Sequence, residues 1–421
     1  MFDAAELSAW LRHLETAHDR KIDLGLERVG AVYAALQLAP VAPVVITVAG
    51  TNGKGSTVAM LDAICQAAGY KTGRFTSPHL LRYNERIVIN GQEATDSAIV
   101  SAFRRIEEAR GHITLSYFEY TTLAALYLFK QAAVDVAILE VGLGGRLDSV
   151  NVVDTDCALI TTVDIDHTQW LGDNRESVGR EKSGIFRPGR PAVCGDPDCP
   201  LSVRRQACQR GARLYRRDID FDIRLHDSGF DWLGWHRDIL ALPLPSLPGV
   251  WQCQNAATAV AALESLRERL PIPEEAYGMG LHQARLPGRL QQLRQQPEIR
   301  IDVAHNAQAA AALACWLKQN PSPGKTVAVL GVLADKNAHE WLGQFRFLVD
   351  AWVATQPVSE RALPVAKCAE LIRKTTGAPL LAAHTDPLAA CHMALTGLDT
   401  DDRLLVFGSF FVLEPVIREF A

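Results

Sequence analysis

Seven residues, Gly50-Thr51-Asn52-Gly53-Lys54-Gly55-Ser56, have the types and the order needed to hold a nucleotide phosphate. Glycines let the backbone curl so that several N–H groups point inward, and a helix that starts there adds its dipole. Lys54 would place a charge on the outer phosphates, and the hydroxyl of Ser56 or Thr57 would lie near Mg2+. The spacing is short: Thr51 and Asn52 alone separate the first glycine from Gly53-Lys54, and Gly55 stands where a hydroxyl residue commonly follows the lysine. The plain alternative is a glycine-rich turn. The lysine, the hydroxyls and the flanking elements together argue against it.

More polar residues follow other apolar runs. Ser77-Pro78-His79 follows Gly73–Thr76. Glu140 follows Val134–Leu139 and leads into the glycine-rich Val141–Asp148. Asp164-Ile165-Asp166-His167 follows Ala158–Val163. Ser77, Glu140 and His167 offer oxygen and nitrogen ligands, and Mg2+ bound to substrate phosphates needs few from the protein. Each has a plainer reading: Glu140 ending a strand, His167 capping a turn, Ser77 forming a turn with Pro78. Asp164 and Asp166 read equally as ligands or turn residues. Lys182, in Arg180-Glu181-Lys182-Ser183, reads on composition as a solvated helix residue or an ion-pair partner.

These residues need a frame that gathers them. Val44–Val48 is a β-branched run, and Lys54–Ala68 reads as a helix. Strand signals at Arg86–Ile89, Val134–Glu140, Ala158–Val163 and Pro191–Cys194 alternate with helix signals at Asp96–Arg110, Tyr120–Gln131, Arg175–Phe186 and Asn255–Arg269. Continuously apolar strands between helices indicate an α/β fold with a mostly parallel sheet covered on both faces. Ligands bind such a sheet at the carboxyl ends of its strands. Leu214–Trp235 shows polar-apolar alternation, which predicts a small antiparallel patch. Ile22–Arg28 reads as a loop. Past Leu286–Arg289 and the glutamine-rich 291–296, strand and helix signals start again. The expected organisation is a first domain over 1–288, a linker over 289–297 and a second α/β domain over 298–421.

The chain has 421 residues, of which 48% are hydrophobic and 22% charged, which reads as soluble and globular. A net charge of −5 argues against a nucleic-acid partner. No apolar stretch reaches membrane-spanning length, and Met1–Glu6 lacks a signal-peptide pattern, so a cytoplasmic protein without a membrane partner is expected. The nine cysteines form no C-x-x-C. Cys194 and Cys199 stand closest, with no second pair to complete a zinc site.

Ala49–Ser56, with its short spacing, resembles the phosphate loop of the Mur ligase superfamily. Thr76-Ser77-Pro78-His79-Leu80, Glu140–Asp148, Asp166-His167-Thr168, Glu181–Phe186 and Leu286-Pro287-Gly288-Arg289 resemble its folylpolyglutamate synthase branch. Ile22–Arg28 and Tyr117-Phe118-Glu119-Tyr120 narrow the resemblance to the bifunctional bacterial dihydrofolate synthase/folylpolyglutamate synthase family. It spans residues 22 to 410 in order. It implies an N-terminal P-loop ATPase domain and a C-terminal Rossmann-like ligase domain.

The activity it implies is ATP-dependent amide ligation. L-Glutamate joins dihydropteroate or the γ-carboxyl of a reduced folate through an acyl phosphate. By resemblance, Gly50, Thr51, Asn52, Gly53, Lys54, Gly55, Ser56, Asn255, Arg289, Asp302 and His305 contact ATP. Lys54, His167 and Lys182 are the catalytic set. Ser77, Glu140, His167 and a carbamylated Lys182 hold Mg2+ at two sites. Asp23, Leu24, Gly25, Leu26, Ser116, Tyr117, Phe118, Glu119, Leu147, Asp148 and Ser149 form the pterin side. Val150, Ala307, Asn337 and Phe411 depart from the family's pattern, and none is a phosphate or metal residue. A monomer acting on small molecules is expected. The alternatives are a ligase adding amino acids to cell-wall precursors, or a P-loop ATPase or kinase that makes no acyl product.

Overall fold

The computed structural model describes residues 2–20 and 22–421. Two compact units emerge. The first comprises residues 1–79, 83–246 and 252–285, the second residues 80–82, 247–251 and 286–421.

An eight-stranded sheet organises the first unit. From edge to edge its strands are Gln92–Glu93, Ile87–Ile89, Thr72–Phe75, Val136–Glu140, Val44–Ala49, Cys157–Ile160, Pro191–Cys194 and Arg213–Arg216. All pairings from Thr72–Phe75 to Arg213–Arg216 are parallel, and the two strands at the other edge are antiparallel. Every residue of Val44–Ala49 is buried, including Thr47, because helices cover both faces of a central parallel strand. The register sets Val48 beside Glu140 and Ala49 beside Ile160. The segments after these strands therefore leave the sheet side by side. A separate antiparallel sheet, Asp222–His226, Gly229–Leu233 and Ile239–Pro243, forms the patch that the alternation predicts.

The second unit carries a six-stranded sheet in the order Gln291–Gln295, Glu298–Asp302, Arg403–Phe407, Thr326–Leu330, Ala351–Thr355, Leu380–His384. All its pairings are parallel except the first. Helices on its two faces bury one core with Trp341, Phe345, Trp352 and Phe407, and another with Ile301, Val329, Val406 and Val416.

Two expectations need correction. The stretch 289–297, read as a linker, contains the strand Gln291–Gln295, hydrogen-bonded to Glu298–Asp302. Its glutamines sit on a polar sheet edge, which composition does not distinguish from a connector. The stretch 22–28, read as a loop, runs into a helix, Glu27–Ala35, that buries only Val29 and Val32 and so gives a weak helical pattern.

Candidate active site

The phosphate loop leaves the Val44–Ala49 strand and is strapped by the segment that follows the neighbouring Cys157–Ile160 strand. The Thr51 N–H donates to the Thr162 carbonyl (2.8 Å). The Thr51 hydroxyl donates to the Asp164 carbonyl (2.9 Å), and the Thr161 hydroxyl to the Asn52 carbonyl (2.6 Å). This closeness excludes side chains at two glycines. A Cβ on Gly50 would lie 1.8 Å from Thr161 Oγ1, and one on Gly53 would lie 2.4 Å from Asn255 Oδ1. Gly53 also has φ +85°, a left-handed conformation open to glycine. Asn255 thus meets the loop directly, held by its own amide donating to Gln252 Oε1. The Lys54 ammonium folds back onto the carbonyls of Gly50 (2.9 Å) and Thr51 (3.2 Å). Helix Lys54–Ala67 starts at Gly53, which supplies no side-chain cap to its first turn.

Beside the loop, Glu140 is buried and its carboxylate accepts the Ser77 N–H (3.1 Å). Ser77 and Glu140 are therefore together as expected. His167 stands at the start of the short helix Thr168–Leu171 with φ +51°, and its N–H donates to Asp166 Oδ1. Ser56 and Thr57 are buried, and Thr57 Oγ1 has no hydrogen-bond partner among the described residues. Among those residues no group of three or more His, Cys, Asp or Glu side chains is arranged to hold a metal. Oxygen donors, few carboxylates and an orphaned buried hydroxyl at a phosphate loop fit Mg2+ that takes its other ligands from phosphate and water.

Lys182 is not the solvated residue its composition suggests. It ends helix Arg175–Lys182 and is 3% exposed. Burial, then the charge of Lys54, push its ammonium down to about 7, with Asp166 opposing. The glycine loop after Glu140 packs on the backbone here: a Cβ on Gly145 would meet the Lys182 carbonyl at 2.8 Å, and the Arg146 N–H donates to the Glu181 carbonyl (2.9 Å).

The three segments assigned to the pterin also meet. The Gly25 N–H donates to the Leu147 carbonyl (3.1 Å). Arg28 bridges them, pairing with Asp23 (2.8 Å) and Glu119 (3.1 Å). Ser149 and Thr122 share a hydroxyl hydrogen bond (2.6 Å). A Cβ on Gly142 would strike the Phe118 ring, and Tyr117 packs near the Arg86 guanidinium. Leu24 and Leu26 are half-buried between these contacts.

Two carboxylates in this group work on the protein's own backbone. Asp148 accepts the N–H groups of Leu143 and Val150, and burial pushes it up to about 6. Glu119 forms a capping box with Ser116 at the start of helix Tyr117–Ala132. Sequence reasoning missed Arg28, Thr161 and Thr162. The threonines had a usable signal in their strand-end position.

In the second unit, Asp302 ends its strand with both oxygens taken, by the N–H groups of Leu290 (2.9 Å) and Ala304 (2.7 Å). Burial raises it and the Arg289 charge opposes that rise. The Arg289 guanidinium lies over the Phe410 ring at 5.9 Å, and the His305 ring stands 6.2 Å from the same ring. Arg289, Asp302 and His305 thus share one end of this sheet, with Phe410, absent from the sequence-based set, at their centre.

The family model of the Mur ligase middle domain matches residues 48–263, and that of the Mur ligase glutamate ligase domain matches residues 288–410. The chain belongs to the Mur ligase family. Within it, the dihydrofolate synthase/folylpolyglutamate synthase of Escherichia coli K12 is 43% identical, over 99% of this chain and 96% of the relative. That of Haemophilus influenzae is 37% identical over 96% and 95%. The E. coli FolC structure in complex with DHPP and ADP superposes with TM-score 0.94 at 43% identity, covering 100% of this chain and 99% of that one. The Yersinia pestis bifunctional folylpolyglutamate synthase/dihydrofolate synthase with AMPPNP and Mn ion superposes with TM-score 0.92 at 44% identity and the same coverage. These are the branch and the α/β architecture that the motifs imply. Among the described residues no helix of this Mur ligase is long and apolar enough to cross a membrane.

Proposed function

We propose that this chain is an ATP-dependent ligase that joins L-glutamate by an amide bond to 7,8-dihydropteroate, giving dihydrofolate, and to the γ-carboxyl of reduced folates. One observation carries the assignment. The loop that starts at Glu140, beside the phosphate loop, ends at Leu147, which hydrogen-bonds Gly25 in the cluster bridged by Arg28. A carboxylate held against that cluster lies along the same loop as the phosphate site.

The substrate carboxylate attacks the terminal phosphorus of ATP and ADP leaves. The amine of glutamate then attacks the acyl phosphate carbon, and phosphate leaves as the amide forms. The obstacle is repulsion between carboxylate and polyphosphate. The loop N–H groups and the Lys54 ammonium, once it leaves the Gly50 and Thr51 carbonyls, offset it. Ser77, Glu140 and His167 would hold one Mg2+, and carbamylated Lys182 would serve a second. Bound there, the metal neutralises phosphate charge.

Lys182 suits carbamylation because burial and Lys54 leave much of its amine neutral at neutral pH. Its lone pair adds to CO2, an N–C bond forms and the proton departs. Asn255 closes the phosphate loop; Arg289, Asp302 and His305 are assigned as nucleotide contacts by the family resemblance, and within its own unit Asp302 shapes the turn. Residues 1–288 would then bind Mg-ATP and the pterin acid, and 298–421 would complete the ligase. The protein acts in the cytoplasm, as a monomer.

The test is purified protein with ATP, Mg2+, dihydropteroate and L-glutamate. Dihydrofolate and ADP in equal amounts are expected. ADP without dihydrofolate would leave a P-loop ATPase, and use of a nucleotide-sugar peptide instead would leave a cell-wall ligase.

A further inference from the structure

Arg86 is a buried cation without an anion. It ends the short helical turn Tyr83–Arg86 and leads into the strand Ile87–Ile89. It is 9% exposed. Arg28, Arg74 and Arg110 of the same unit are more exposed, yet each has a carboxylate: Arg28 has Asp23 and Glu119, Arg74 has Asp62, and Arg110 has Glu107. Among the described residues no carboxylate pairs with Arg86. Its neighbours are neutral. The Arg86 Nε–H donates to His79 Nδ1 (2.8 Å), a nitrogen that must be bare to accept it, so that ring adds no charge. The Tyr83 and Tyr117 rings flank the guanidinium, with centroids at 5.6 and 5.7 Å, and meet each other edge to face. The Tyr83 hydroxyl donates to Thr121 Oγ1 (2.8 Å), which fixes that ring. Nη1 and Nη2 make no hydrogen bond among the described residues, and neither is sealed from solvent.

This cation adjoins two parts of the candidate site. The Arg86 carbonyl accepts the Thr76 N–H (3.0 Å), and the next residue, Ser77, gives its N–H to Glu140 (3.1 Å). Tyr117, beside the guanidinium, opens the helix that Ser116 caps, in the segment assigned to the pterin. The backbone of Arg86 thus meets the metal residues, and its side chain meets the pterin residues. A guanidinium stays charged at any physiological pH, and burying it unpaired is costly. Aromatic faces offset only part of that cost. What completes the arrangement is an anion on Nη1 and Nη2, and the planar fork matches a carboxylate.

We propose that Arg86 is the carboxylate clamp of the acid substrate: Nη1 and Nη2 donate to a carboxylate of the pterin acid, while His79, Tyr83 and Tyr117 hold the guanidinium in place. The proposal rests on the ligase reading given above and adds to it the residue that recognises the acid group. Dihydropteroate brings one carboxylate, the one to be activated. A reduced folate brings two, the γ-carboxylate to be activated and the α-carboxylate of its glutamate.

The experiment measures equilibrium binding to the full chain with Mg-ADP present. It compares dihydropteroate with its carboxamide, and tetrahydrofolate with its α,γ-diamide. The wild type should favour acid over amide by at least about tenfold, the scale of one hydrogen bond to a charged group. In Arg86→Met that preference should fall to within about twofold, with affinity for the amide unchanged. Loss of preference with both acids assigns the clamp to the carboxylate that is activated. Loss with tetrahydrofolate alone assigns it to the α-carboxylate. A preference kept with both acids, or acid and amide weakened alike, overturns the clamp and leaves Arg86 a packing residue. Arg86→Lys serves if Arg86→Met does not fold. It keeps a charge without the fork, so its preference should drop at least about threefold, and a preference equal to wild type overturns the clamp. Wild-type protein that binds neither acid overturns the ligase reading itself, whereas wild-type protein that binds acids and amides equally overturns only the clamp.

Discussion

The same module, a strand, a tight turn and a helix, is built twice and finished in two ways. In the first unit Val44–Ala49 leads through the glycine loop into Lys54–Ala67, and no side chain caps that helix. In the second, Glu298–Asp302 leads through 303–306 into Ala307–Gln319, and the Asn306 side chain accepts the Ala309 N–H. The carboxylate at the second turn, Asp302, spends both oxygens on backbone N–H groups. The first turn brings a lysine and a neighbouring carboxylate, Glu140, and leaves its helix end to a ligand. An open helix terminus is an anion site, whereas a capped one is a structural joint.

The largest test of this contrast is Lys54→Ala. Its charge is the one a capped turn would not need. Turnover should fall by about a thousandfold, the scale of losing a preorganised charge at a phosphoryl centre. Steady-state kinetics with saturating pterin measure it. A loss below tenfold would mean that the open turn is not the phosphate site.

Lys182 sharpens the electrostatic half of the comparison. Lys182→Ala should cost about a hundredfold in kcat, with part restored by a short carboxylate such as acetate in place of the carbamate. The pH dependence has a definite sign. With its ammonium pushed down to about 7, Lys182 is mostly neutral above that pH and protonated below it. At fixed dissolved CO2, enzyme stripped of CO2 should regain activity faster at pH 8 than at pH 6. An equal rate at both pH values, or unchanged turnover in Lys182→Ala, would assign the buried amine a structural role only.

The phosphate loop was legible because its chemistry is local: glycines, a lysine and hydroxyls between a β-branched run and a helix. Helix Asp96–Arg110 was legible to the residue, and it starts at a side-chain cap, Thr95. Lys182 was not legible. Its helix, RESVGREK, is charged enough to read as solvated, and the burial of Lys182 comes from the tertiary fold, which composition does not carry. Edge strands failed for a related reason. Gln291–Gln295 and Leu380–His384 are half-exposed, lack β-branched residues and exist through one partner strand each. Arg28 was missed because its partners, Asp23 and Glu119, come from separate segments that only the fold unites.

Gly53→Ala tests the geometry of the open turn. The new Cβ would combine a left-handed φ with a 2.4 Å approach to Asn255 Oδ1. The backbone alone should cost about 1–3 kcal/mol, seen in urea unfolding. The ATP KM should rise about tenfold, because the loop must move to relieve the contact. Adding Asn255→Ala removes the contact but not the backbone strain, so it should restore part of the stability and little of the ATP affinity. Full recovery of both would mean that the close approach, not the loop's conformation, dictates the glycine.

Asn306→Ala asks whether the second turn is a joint, as its cap implies. Removing the side chain leaves the Ala309 N–H without that acceptor, which should lower stability by about 1 kcal/mol. Asn306→Asp keeps an acceptor at the helix start and adds a charge the dipole favours, so it should lose little. If the joint reading is right, both variants keep an ATP KM within about twofold of wild type, since a cap contributes to the helix and not to a ligand. A large rise in KM with unchanged unfolding would reverse the contrast: the second helix terminus would then serve the nucleotide as the first does, and the two turns would differ only in how they are closed when empty.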